Sequence, residues 1–147
     1  MTRKLLSRYI KDNYAFLLGF STTDSIADSD IGLNVVDIAN PEKPELVATL
    51  PTAGIDRGLA IRGNYAYFAE AENILTIDIS DPKKPVVVDT MAVGHFNRFG
   101  SEGGTKIRIF GDYAYVMLVV EGALILDVSN GIPKLVSQII VPQELEE

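Results

Sequence analysis

The chain of 147 residues contains no cysteine. Disulfides and thiolate metal sites are therefore excluded, and the redox compartment is left open. Positive charge is also scarce: 13 Lys and Arg stand against 20 Asp and Glu, for a net charge of −7. Nucleic acids and anionic membrane surfaces are bound through basic patches. No Lys or Arg cluster offsets the deficit, so neither partner is expected. No apolar run is long enough to span a bilayer comfortably, because the longest, Tyr113 to Val128, is interrupted by Glu121 and Gly122. The opening stretch MTRKLLSRYIKDNYAFLL is broken by Arg8, Lys11 and Asp12 and lacks the apolar core of a secretory signal. No signal peptide or transmembrane segment is expected in this chain, and localisation stays open. Helical periodicity is missing, as are phosphate-binding loops, zinc-ligand spacings and a G-x-S-x-G elbow. No cofactor is expected.

What is present is a repeat in a chain of globular composition, 47% apolar and 22% charged. Aligned on tyrosine, its copies read Asp12-Asn13-Tyr14-Ala15-Phe16, Gly63-Asn64-Tyr65-Ala66-Tyr67 and Gly111-Asp112-Tyr113-Ala114-Tyr115, spaced by 51 and 48 residues. A second anchor follows in each: Val36-Asp37-Ile38-Ala39-Asn40-Pro41 with Pro44, Ile77-Asp78-Ile79-Ser80-Asp81-Pro82 with Pro85, and Leu126-Asp127-Val128-Ser129-Asn130 with Pro133. Periods of about 40 to 50 residues indicate propellers or solenoids.

Each copy reads as four short strands. The first ends at Ile10, Ile61 or Ile109, before a dipeptide suited to positive φ in a tight hairpin. The second begins at the tyrosine. The third (Leu33 to Ile38, Ile74 to Ile79, Ala123 to Val128) is almost continuously aliphatic, as expected for a strand covered on both faces. The fourth (Glu45 to Leu50, Val86 to Met91, Lys134 to Val141) opens just after a proline that blocks helix. The expected fold is all-β: one repeat domain over residues 1–147 made of three four-stranded antiparallel blades, at about 4–51, 56–92 and 104–142. Copy one carries a polar insertion, roughly Ser21 to Asp30, and copy two is followed by a long link, Val93 to Thr105.

The stretch GNYAYFAEAENILTIDISDPKKP resembles the LVIVD repeat, whose copies read approximately as a GNYAYVAD segment followed by an LxIIDVSDPxNP segment. The resemblance covers almost the whole chain and is strongest in copy two. It is weaker in copy three, where Asn130-Gly131-Ile132-Pro133 is one residue short. It implies β-propeller-type blades and no shared catalytic residues.

Propellers close with four to eight blades. Three blades leave an open arc with apolar end faces, and a homo-oligomer is expected, most simply a C2 dimer that completes a six-bladed ring. The competing reading is a piece of a longer propeller.

Candidate site residues lie between the repeats. Asp37, Asp78 and Asp127 recur in register and are read as caps of turn amides. Tyr14, Tyr65 and Tyr113 are read as blade packing with the hydroxyl tied down. Asp24, Asp28 and Asp30 supply enough oxygen for a calcium site but lack EF-hand spacing and its terminal Glu, and are read as a solvated acidic loop with no metal. The link residues Arg57, His95, Arg98 and Glu102 would line one mouth of the propeller channel and are the candidate ligand-binding set. A single histidine without a paired nucleophile makes a poor catalytic case. The expected function is therefore a non-enzymatic binding or scaffold module for a protein, glycan or other ligand. A hydrolase or lyase with its site at the channel mouth is the alternative.

Overall fold

The computed structural model describes residues 3–21, 32–52, 56–70, 73–93, 106–118 and 122–140; for 3–8, 19–21, 56, 57, 70 and 118 it describes the backbone alone. Twelve strands carry the regular structure of these residues. They are β1 (Arg3–Lys11), β2 (Tyr14–Ser21), β3 (Gly32–Asp37), β4 (Glu45–Pro51), β5 (Asp56–Arg62), β6 (Tyr65–Glu70), β7 (Asn73–Asp78), β8 (Val86–Ala92), β9 (Lys106–Phe110), β10 (Tyr113–Leu118), β11 (Gly122–Asp127) and β12 (Lys134–Ile140). They form three four-stranded sheets, β1-β2-β3-β4, β5-β6-β7-β8 and β9-β10-β11-β12, each an antiparallel meander. The expected all-β architecture of three blades is thus the observed one. The opening basic stretch enters the hairpin β1–β2.

Each β1–β2-type hairpin closes through two residues, and only the first has positive φ: Asp12 at 53°, Gly63 at 57°, Gly111 at 60°. That is the pattern of a type II′ turn, whose twist matches the flanking strands. The third strands end one residue earlier than the aliphatic run suggests. Ile38, Ile79 and Val128 lie just past the ladder, and their amides donate across to the carbonyls of Asn13, Asn64 and Asp112, each at 2.8 Å. The apolar side chain stays in the core while the backbone begins its turn: Ile79 and Val128 are fully buried.

A feature of the ladders was not read from the sequence. Pairing between the third and fourth strands skips one residue at the same place in every blade, at Val47, Val88 and Val136. Such a bulge bends the outer strand and increases twist. A second bulge recurs in the innermost strands, at Leu6 in β1 and Arg57 in β5.

Alternation sets the core. In blade two, Leu59, Ala66, Phe68, Leu75, Ile77 and Ile79 face blade one and meet Phe16, Leu18, Leu33 and Val35. Its opposite side sends Ala60, Tyr67, Ala69 and Ile74 against Ile107, Ala114, Val116, Leu124, Leu126 and Val128 of blade three. Blade two is a sheet buried on both faces, which explains its near-continuous apolar third strand. The innermost strands β1, β5 and β9 lie side by side.

A meander of this kind has two unlike ends. At one lie the two-residue hairpins and the Asp/Asn-Pro turns. At the other lie the ends of β2, β4, β6, β8 and β10 and the starts of β3, β5, β7, β9 and β11, as the registers Gly19↔Gly32, Gly32↔Pro51 and Asp56↔Glu70 show.

Candidate functional site

The turn end is held by hydrogen bonds that recur with the repeat. The Oδ1 atoms of Asp37, Asp78 and Asp127 accept the amides of Ala39, Ser80 and Ser129 at 2.9, 2.8 and 2.8 Å. These aspartates are turn caps, as expected, and do not converge. Asn40 and Asp81 repeat the device, accepting the amides of Glu42 and Lys83, both at 3.1 Å. Hydrogen bonds from Ser80 hold the Asp78 carboxyl below its ordinary range, and Ser129 does the same for Asp127. Both stay ionised acceptors at neutral pH.

Polar ties between blades run forward along the chain. In blades one and two the residue before the hairpin turn reaches the turn of the next blade. Lys11 Nζ donates to Asn64 Oδ1 at 3.4 Å. Arg62, in the same position of blade two, donates Nε to the Gly111 carbonyl (3.1 Å), Nη1 to the Val128 carbonyl (3.1 Å) and Nη2 to Asp112 Oδ1 (2.5 Å). The Tyr67 hydroxyl, fully buried, donates to the Gly131 carbonyl at 2.6 Å. Burial pushes its pKa up to about 12, so it is a neutral donor.

This corrects the reading of the tyrosines. Tyr14 and Tyr65 pack against the two inter-blade cores, while Tyr113 is 42% exposed on the far face of blade three. The hydroxyl that is tied down belongs to Tyr67, two residues further on. Alternation puts Tyr65 and Tyr67 on the same face, between blades two and three, and it is Tyr67 that meets the carbonyl of Gly131 in the shortened Asn130-Gly131-Ile132-Pro133 turn. Gly131 sits at φ 88°, and a β-carbon there would press on the Tyr65 ring. The shortened turn, read only as a departure from the repeat, is an acceptor site.

One member of the candidate ligand set lies at the loop end. Arg57 is the bulged residue at the start of β5. Bulges commonly re-aim residues beside functional sites, though its side chain is outside the described residues. So are His95, Arg98 and Glu102, and the acidic Asp24, Asp28 and Asp30. The strand ends that flank the acidic insertion (Ser21 and Gly32) lie at the same end of the blades as the start of β5. Among the described residues no group of three or more His, Asp or Glu is placed to hold a metal. No helix among them is long and apolar enough to cross a membrane.

Sequence reasoning missed Arg62 and Tyr67. A signal for Arg62 was present: Lys11 and Arg62 are both cations in the position before the hairpin turn. A comparison with curated proteins gives no match. The family model of the LVIVD repeat matches three times, at residues 24–52, 53–93 and 104–136. The second match spans blade two, the third begins ahead of β9 and ends within β12, and the first takes in only β3 and β4 of blade one; together the matches cover most of the chain, which belongs to the LVIVD repeat family.

Proposed function

We propose that this chain is a non-enzymatic binding or scaffold module. It self-associates, or joins a longer propeller, through its end faces, and takes a protein or glycan ligand at the loop end through Arg57, His95, Arg98 and Glu102. The observation that carries the reading is the asymmetry of the blades. At the turn end, Arg62, Tyr67, Asp37, Asp78 and Asp127 are all engaged in holding turns and neighbouring blades. The chain links and the insertion leave from the opposite end, and binding residues concentrate on loops that a rigid scaffold presents. Capture on defined glycan and peptide arrays is the test. The wild-type chain should retain a ligand that the double variant Arg57→Ala/His95→Ala loses, with unchanged thermal stability. Turnover of an array substrate, abolished in the same variant, would replace this reading with a hydrolase or lyase.

A further inference from the structure

We infer that the two end faces of the arc are made for each other: blade three of one copy packs on blade one of a second, and two copies close a six-bladed ring. The inference rests on the module reading above and names its partner as a second copy of this chain. Alternation and register identify the faces residue by residue. The leading face of blade two, around Ala66, Phe68 and Ile77, is fully buried against blade one. The same positions in blade one, Ala15, Leu17 and Val36, are only half-buried, and Ile10 beside them is 71% exposed. The trailing face of blade two carries Tyr65, Tyr67, Ala69 and Met91 against blade three. In blade three the same positions are Tyr113, Tyr115, Met117 and Ile139, with Tyr113 at 42%, Met117 at 44% and Ile139 at 50% exposed. Apart from Arg108, an exposed cation where blade two has Ala60, one unpacked face therefore has the chemistry of a leading face and the other that of a trailing face.

A further observation bears on burial of these faces. Blade one's leading face has one amide in its middle, Asn34, and Thr49 already donates to its Oδ1 at 2.9 Å within the blade. Burying the face does not orphan that oxygen. Two copies related by a two-fold axis along the channel bring six blades together, within the range of about four to eight that closes a ring.

The register makes a sharper statement. Lys11 reaches Asn64 and Arg62 reaches Asp112, the second residue of the next blade's hairpin turn. Phe110, 80% exposed, holds that position in blade three, so across the junction it faces Asn13 of the other copy. Phe110→Arg with Asn13→Asp rebuilds the Arg62–Asp112 pair at the junction, and Phe110→Asp with Asn13→Asp sets two like charges there. Both positions are exposed in the single chain, so neither variant disturbs its folding. Analytical ultracentrifugation should find the wild type at twice the chain mass at micromolar concentration. The Arg/Asp variant should dissociate at least tenfold less readily than wild type, and the Asp/Asp variant at least tenfold more readily. A wild-type monomer, masses that grow past two chains, or variants that shift in the same direction would overturn the ring. A monomer that still captures ligand in the array assay sinks the ring alone; a closed dimer that captures nothing sinks the binding reading alone.

Discussion

Tyr67 shows how one hydroxyl is committed to joining blades. Removing it in Tyr67→Phe leaves the Gly131 carbonyl buried without its donor, a loss of about 1–3 kcal/mol that urea unfolding should register. Its titration carries a sign. The folded state holds the proton up to about pH 12, so the stability it contributes is complete below the ordinary tyrosine value of about 10 and is lost as pH rises from there through 12. Alkaline unfolding of the wild type should therefore be steeper between those values than that of Tyr67→Phe. Asp127 runs the other way. Its depressed carboxyl contributes stability above the ordinary carboxylate range, lost as pH falls through the lowered value. Ser129→Ala removes the hydroxyl that donates to Asp127 at 2.6 Å, and an NMR titration should show the Asp127 carboxyl returning toward its ordinary range. Thr76 is a different case: its hydroxyl is fully buried with no hydrogen-bond partner among the described residues. The near-isosteric Thr76→Val should raise stability by about 1 kcal/mol or more in the same urea assay. No reason for a threonine at this position is visible in the packing.

At the level of the strand and turn, the repeat was legible because each element depends on local chemistry. Asp12-Asn13, Gly63-Asn64 and Gly111-Asp112 fit positive φ at their first position, and the structure has it there. Asp12 is the one non-glycine of the three, at φ 53°. Asp12→Gly should relieve left-handed strain and gain up to about 1 kcal/mol, measured as a rise in melting temperature. Gly131→Ala should do the reverse, since the added carbon meets the Tyr65 ring as well as an unfavourable φ of 88°. The bulges at Val47, Val88 and Val136 were not legible. A valine in a strand has the same appearance whether or not its neighbour in the ladder is skipped, and only the pairing of two strands reveals the mismatch. The one-residue shift at the third strands has the same origin: hydrophobic periodicity follows burial, while a strand ends where its ladder ends.

For the whole molecule, the inter-blade contact that recurs between blades one and two and between two and three is, among the described residues, unused on the outer faces of blades one and three. Association through apolar faces between chains of net charge −7 should strengthen with salt, because screening removes repulsion and leaves the apolar contact intact. The melting temperature should also climb with protein concentration, as for any fold linked to assembly; a value independent of both concentration and salt would argue against it.

The sequence by itself determined the three blades, their strand order, the turn caps and the family, because turn residues, prolines and apolar periodicity act over a few residues and repeat visibly. Which face of blade two meets which neighbour, and that Arg62 and Tyr67 rather than the repeated tyrosines tie blades together, were decided by tertiary structure. Those facts depend on alternation carried across two sheets and on a turn shortened by one residue, and neither can be read from one strand at a time.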